Sequence, residues 1–397
     1  MAGGFVAPVL RAAGWELMLF GRDSAVATAI ETRRGIWAHA GGNLPRWIDG
    51  VSAAVASDEL LHEALATADL VITAVGPAQL TALGRALAGG LMRRHESGRL
   101  LNILTFENHR RAPELLADAL LEAEPRLASA MGRSVGLGGA AVWRAIVRRQ
   151  VAPDGVHYWA DDVDDAYFDG MPLVDAPPRS RPIEGLMAVT GFDNRMVEKL
   201  WLFNGGHAAA AYLGWLVGCR TIAEAMSRPA ISSLVRAVVE EAQRALDMRH
   251  RLRRQAPVGP ERSTEWILGR FADQALVDPV TRVGREPRRK LAPGDRLLGP
   301  AITCAADGGL PAALPMAIAA AFAYEDPNDN EAVGVRREVQ LLGVEEPLDL
   351  ICGVQANEPL AKAIVREHHE LVQNRVAAID RLAGDLNLGR GFVPMRS

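Results

Sequence analysis

Residues 198–214 read EKLWLFNGGHAAAAYLG, which sets an amine, a carboxamide and an imidazole (Lys199, Asn204 and His207) within nine positions of an otherwise apolar stretch. On an ideal helix turning about 100° per residue, His207 lies about 80° and Asn204 about 140° from Lys199, so all three project from one side. An ammonium among Leu200, Trp201 and Phe203 is poorly solvated. Its pKa must fall by roughly 3 from a reference near 10.4, on the order of 4 kcal/mol, before the amine is a base at neutral pH. Arg195, one turn earlier, pushes the same way. An amide N–H on Asn204 can donate to a developing oxyanion, and His207 can orient the amine or a ligand hydroxyl. Taken singly, Asn204 and His207 read as satisfied core groups, and Lys199 as a side chain that snorkels to water. Together they read as a site.

A second concentration of charge is RVGREPRRK (282–290), with five cations in nine residues. By itself it reads as a solvated basic loop. RHRLRR (249–254) reads as a helix end facing water. Overall charge is balanced, 44 basic against 48 acidic residues for a net −4, which argues against nucleic acid as a partner. Hydrophobic residues make up 49% and charged residues 23%, the balance of a folded globular chain rather than a disordered one. Cys219, Cys304 and Cys352 stand far apart without a CxxC and read as reduced core thiols of a cytoplasmic protein. The nine histidines show no zinc spacing, so no metal is expected. No basic n-region with a pure apolar core opens the chain. The apolar runs at 205–218 and 309–324 are too short or proline-broken to span a bilayer, so no membrane association is expected.

The elements that must position these groups fall into two halves. ELMLFG (16–21), DLVITAV (69–75) and LNILTF (101–106) are short apolar runs that read as buried parallel strands. Helical patterns lie between them at 4–13, 23–33, 57–67, 77–93 and 112–122. Alternating β and α over this length predicts an α/β, Rossmann-like, doubly wound parallel sheet. The character changes after the proline-rich PPRSRPIEG (177–185). Segment 231–246 carries Ile231, Leu234, Val235, Val238, Val239, Ala242 and Leu246 on one face. Residues 194–218, 264–276, 311–323 and 358–384 also read as helices. The expected organisation is a nucleotide-binding domain over 1–185, an all-helical domain over 186–384 and a loose tail over 385–397.

The first βα turn of such a sheet should carry GxGxxG, yet no strand precedes the helix VAPVLRAAGW. Ala2 stands where the last small residue of that loop belongs. Gly3, Gly4 and Phe5 open the helix, whose free N–H groups can receive a pyrophosphate. The expectation is that the sequence starts at an internal methionine and that a longer form carries one more, central strand. At the end of ELMLFG, Asp23 can hold the ribose hydroxyls of NAD or act as a helix N-cap, while Arg22 can meet the 2′-phosphate of NADP. Gly76 and Pro77 end one strand; Glu107 and Asn108 follow another, with Asn108 in reach of the nicotinamide ribose or carboxamide. These are carboxyl ends of strands, where ligands gather in this fold.

Four stretches together identify a family: DLVITAVGP (69–77), FENHRRAPELL (106–116), KLWLFNGGHAAAAYLG (199–214) and DPVTRVGREPRRKLAPGDRL (278–297). The sequence resembles the polyol-specific long-chain dehydrogenases from about residue 3 to 370. The resemblance implies a Rossmann domain followed by a helical domain, and metal-independent hydride transfer between NAD or NADP and a polyol or sugar phosphate of the mannitol 1-phosphate/fructose 6-phosphate type. It also implies that the family's K-x4-N-x2-H motif falls on Lys199, Asn204 and His207, and its substrate-binding Arg and Lys on Arg282 and Lys290. Two departures stand out. Where the family carries a polar residue followed by S-x-V-D-R, this chain has GLGGAAVWRAI (136–146), with Gly139 in the polar position, Trp143 for the aspartate and Arg144 retained. The family's E-P-F segment is replaced in ADDVDDAYFDG (160–170). A missing oxyanion donor typically costs on the order of 10²–10³ in rate. The alternatives are therefore a dehydrogenase of an unphosphorylated polyol or sugar acid, and a non-catalytic dinucleotide or sugar-phosphate binding protein.

Overall fold

The structure, a computed structural model, describes residues 2–163, 166–253, 263–388 and 393–394. Strands run at β1 Leu17–Gly21, β2 Gly35–Ala40, β3 Arg46–Asp49, β4 Val51–Val55, β5 Leu70–Thr73, β6 Leu101–Thr105, β7 Val135–Val142, β8 Ile146–Ala152, β9 Gly155–Ala160, β10 Ala166–Asp169 and β11 Met187–Val189. Helices between them are α1 Ala7–Ala12, preceded by a π-helical turn at Ala2–Val6, then α2 Ser24–Arg33, α3 Asp58–Thr67, α4 Leu80–Glu96 and α5 Ala112–Ala123. The three strands and five helices read from the sequence are all present. The N-cap reading of Asp23 holds, since its carboxylate accepts from the Val26 N–H at 3.2 Å.

Pairing gives a Rossmann-like arrangement with parallel β5-β6-β7, continued by antiparallel β10 and then β11. Parallel β1-β4 forms a separate pair, and β3-β2-β9-β8 a mixed sheet that the sequence reading lacks. Leu101 and Ile103 pack into one core with Leu65, Leu87 and Leu116, while Leu104 joins Phe5, Val6, Leu10 and Phe168 in another. Neighbouring strand residues point to opposite faces, so helices cover both faces of this sheet.

The second compact unit is Val197–Ser397 and the first Met1–Met196. The division falls after the proline-rich segment, because β11 beyond it pairs with β10 and so belongs to the first unit. Helices of the second half are α6 Phe192–Glu198, α7 Gly205–Leu216, α8 Ile222–Met226, α9 Pro229–Arg253, α10 Thr264–Phe271, α11 Val280–Gly284, α12 Pro287–Lys290, α13 Leu298–Ala306, α14 Ala313–Ala323, α15 Asn330–Leu342, α16 Glu345–Cys352, α17 Pro359–Gln373 and α18 Arg375–Asn387. The predicted apolar face of α9 is buried along its whole length, from Ile231 to Leu246. Among the described residues of this unit the only sheet is Gly309–Leu310 (β12) against Val393–Pro394 (β13). The predicted tail starts too early, since α18 runs through Asn387 and Asn374 caps it by accepting from the Ala377 N–H. The rest of that tail, the end of the RHRLRR run and Asp164–Asp165 lie outside the described residues.

Candidate active site

The segment that opens the sequence reading is not one regular α-helix. Between α6 and α7, residues Lys199–Asn204 form a π-helical turn. Such i→i+5 turns are rare and occur mostly at functional sites. Each residue of a wider turn advances by less than 100°, so Asn204 and His207 lie rotationally nearer Lys199 than the α-helical projection puts them. The turn is held from outside. Trp201 Nε1 donates to the Gly294 carbonyl at 3.3 Å. Gly205 and Gly206 follow because a Cβ there would meet the Arg296 carbonyl and Val239, each at 2.7 Å.

All three polar groups are buried: Lys199 is 4% exposed, His207 8% and Asn204 9%. Burial lowers the Lys199 pKa from 10.5 to about 7, helped by Arg296 and then Arg270. The sequence reading assigns that help to Arg195. The Arg195 guanidinium instead lies 5.0 Å from the centre of the Tyr167 ring. The amide nitrogen of Asn204 is buried without a hydrogen-bond partner among the described residues.

His207 is tied to a residue that the sequence reading quotes without assigning. Its Nε2 lies 3.1 Å from Oδ2 of Asp278. The same carboxylate accepts two bonds of 2.6 Å from Nε and Nη2 of Arg282. Burial works against the Asp278 carboxylate, but these partners outweigh it and hold its pKa at about 2. Burial also pushes His207 below its ordinary value, leaving it neutral, with Asp278 pulling the other way. A neutral imidazole facing a carboxylate carries its proton on Nε2, which leaves an acceptor lone pair on Nδ1. Phe271 stacks on the ring at 4.9 Å and fixes its plane. The signal for Asp278 lies in the sequence, four residues before Arg282 at helical ion-pair spacing.

RVGREPRRK is not a solvated loop. It forms α11 and α12 around Glu286, which adopts a left-handed φ of 57°. Lys290 is 4% exposed, and its ammonium donates to the Val283 carbonyl. Burial, then Arg296 and Arg289, lower its pKa well below the ordinary lysine value. Tyr212 OH donates to the Gly284 carbonyl at 3.0 Å, anchoring the end of α11. Arg270 bears on both Lys199 and His207, and Arg296 on both Lys199 and Lys290, so these groups share one neighbourhood. Neither arginine is singled out by the sequence. Arg296 keeps one buried terminal nitrogen, Nη2, without a partner among the described residues, while its Nε bonds Asp295 at 2.7 Å. Only three of the 44 cationic residues are lysines, and two of them stand here.

In the first unit the candidate nucleotide contacts are spread along strand ends. Gly76 has a φ of 92°, a conformation that favours glycine. Glu107 shapes that turn by accepting from the N–H groups of Val75 (2.8 Å) and Gly76 (3.0 Å). Its carboxyl pKa is raised by burial against those bonds. Pro77 opens the short 3₁₀ turn Pro77–Gln79, and Asn108 is exposed. Besides capping α2, Asp23 pairs with Arg149 at 2.8 Å, and Arg22 reaches Gln79 at 3.5 Å. Gly3 and Gly4 lie in the π turn, with no room for a Cβ at Gly4, where Ile146 would stand 2.6 Å away. The Phe5 side chain is 1% exposed and packs near Phe106, so only its backbone remains to serve a ligand.

The departures from the family pattern have a packing explanation. A Cβ on Gly139 would stand 2.4 Å from the Phe192 ring, which fills the space a polar side chain would need. Trp143 is 2% exposed. Arg144 holds loops by donating to the Val163 carbonyl (2.8 Å) and the Gly4 carbonyl (3.4 Å). Cys219, Cys304 and Cys352 are free and buried. Among the described residues no cluster of His, Cys, Asp or Glu is arranged to hold a metal ion, and no helix is long and apolar enough to cross a membrane.

Comparison with known proteins decides the family. The mannitol dehydrogenase Rossmann domain matches residues 2–164, and the mannitol dehydrogenase C-terminal domain matches 192–383. The chain belongs to the mannitol dehydrogenase family. It is therefore an oxidoreductase. The mannitol-1-phosphate 5-dehydrogenase of Brevibacillus brevis is 32% identical over 92% of this chain and 94% of its own length. That of an Arthrobacter species is 32% identical over 91% and 93%. Among solved structures, mannitol 2-dehydrogenase of Pseudomonas fluorescens, in ternary complex with NAD and D-mannitol, superposes with a TM-score of 0.76 at 16% identity, covering 93% of this chain and 88% of that one. A D-sorbitol dehydrogenase follows at 0.70 and 15%, covering 94% and 90%. At those identities the likeness is one of fold.

Proposed function

We propose that this family member transfers hydride between NAD or NADP and a polyol phosphate of the mannitol 1-phosphate/fructose 6-phosphate type, with Lys199 as general base. The observation that carries the reading is a buried amine, brought to a pKa of about 7, on the same π turn as the unpartnered amide of Asn204. Bound nicotinamide supplies the hydride acceptor for oxidation and the donor for reduction. The turn shaped by Glu107 at Val75 and Gly76, and the exposed Asn108 and Asp23, suit a nucleotide at the strand ends.

In the oxidising direction the neutral Lys199 amine accepts the hydroxyl proton as hydride leaves the same carbon. Asn204 donates its amide N–H to the oxygen as charge develops there. His207, its Nε2–H held by Asp278, accepts a neighbouring substrate hydroxyl at Nδ1 and fixes the carbon's position. Reduction runs these roles backwards, with the Lys199 ammonium giving up its proton. A phosphate ester is favoured over a free polyol because Arg270, Arg282, Lys290 and Arg296 concentrate positive charge around this amine, and because the relatives above are named for the phosphorylated substrate.

The test mixes the protein with NADH or NADPH and fructose 6-phosphate, fructose or a hexuronate, and follows nicotinamide absorbance. Oxidation with the phosphate ester alone supports the reading; turnover of fructose or the hexuronate instead replaces it with the unphosphorylated alternative. The ring of Phe192 over Gly139 favours a second reading, a nucleotide-binding protein without turnover. Saturable NADH binding with no oxidation of any substrate selects it.

A further inference from the structure

β1 and β5 are both edge strands, the first paired only with β4 and the second only with β6. A cavity of about 570 Å³ lies between them, and residues 16–20 and 69–75 line it without a gap in either run. Side chains alternate along a strand, so a cavity beneath one face meets every second residue. Unbroken lining means that the backbone edges themselves border this space, presenting N–H and C=O groups to it. Val6 and Leu10 close it on one side of the sheet, and Leu65 and Leu87, members of the opposite core, close it on the other. β5 is only partly buried over Leu70–Ile72, whereas β6 beside it is buried throughout.

We infer that this cavity is a binding slot for one extended apolar strand of five or six residues, supplied by chain that leads directly into Ala2. A strand there pairs with both edges and joins the two-stranded and five-stranded sheets into one. Direction follows from connectivity: a strand feeding the helical Ala2–Ala12 and lying beside β1 makes a strand–helix–strand crossover, which requires it to run parallel to β1. Composition follows from the walls. With helices on both sides, both faces of the strand are buried, so a continuous run of Val, Ile and Leu fits and an alternating polar one does not. Five or six residues span about 17–20 Å.

The probe is a peptide of six Val, Ile and Leu residues with a lysine at each end, added to the chain as it stands. A control peptide has two of the six replaced by Pro, which removes donors from the ladder. Binding is read by anisotropy and location by hydrogen exchange. At a peptide concentration about ten times its Kd, exchange of amides in 17–21 and 70–73 that is limited by strand opening should slow about tenfold. The proline peptide should do neither. The apolar six, fused ahead of Ala2 through a short glycine turn, should give the same protection without added peptide. No protection from either form, equal binding of both peptides, or binding that leaves those amides unchanged would each overturn the inference.

Discussion

Lys199 keeps its amine in a place where the ammonium is poorly solvated, and that has two measurable consequences. With its pKa at about 7, the rate of polyol phosphate oxidation should rise through pH 7 as the amine loses its proton, and reduction should fall over the same range. Matched pH profiles of kcat/KM in both directions check this. Lys199→Ala should reduce oxidation by about 10²–10⁴ while leaving NADH binding intact. The second consequence concerns stability. The folded pKa of about 7 lies below the ordinary 10.5, so the unfolded chain binds the extra proton between those values and stability rises with pH across that window. Below pH 7 the native fold carries the full cost, roughly 5 kcal/mol at most. Lys199→Met should therefore raise Tm while abolishing turnover, the gain being largest below pH 7 and fading towards pH 10.5. A Tm that does not rise would mean water reaches the amine. Asp278→Asn tests the neighbouring group. Without the carboxylate, Nε2–H of His207 and the guanidinium of Arg282 lose their shared acceptor. A loss of about 10²-fold in kcat/KM is expected, with the imidazole tautomer shifting in ¹⁵N spectra.

The elements show which features a sequence carries openly. Runs such as LNILTF and the 231–246 stripe declare themselves because burial pattern and period agree, and both occur as read. GVHYWA and VSAAV escape because they belong to short or mixed sheets whose register is set by distant partners rather than by their own period. The π turn is equally hidden, since nothing in KLWLFN distinguishes i→i+5 from i→i+4 bonding. Arg270 and Arg296 are found only once the chain is folded, having no motif spacing to Lys199. Two glycines translate into predictions. Gly76→Ala forces a left-handed conformation costing about 1–2 kcal/mol and should weaken NADH binding, read by fluorescence titration. Gly139→Asn should lower Tm because Phe192 occupies the space, and adding Phe192→Ala should recover much of the loss. If the double variant also gains turnover over the native chain, the ring excludes a useful oxyanion donor.

At the scale of the molecule, each unit has its own core, so calorimetry should resolve two transitions rather than one. NADH should raise one and fructose 6-phosphate the other, each by mass action on the unit that holds it. A single transition raised by either ligand would show that the units unfold together. The distribution of cations has a further consequence. Arginine keeps its proton at any physiological pH, and 41 of the 44 basic residues are arginines, leaving Lys199, Lys290 and the exposed Lys362 as the lysines. A small acylating reagent applied just above neutrality therefore meets very few amines, and the one at the centre of the proposed chemistry is largely in its nucleophilic form. Mass spectrometry of intact, briefly acylated protein would count those amines directly, and protection by bound sugar phosphate would mark which of them the ligand covers.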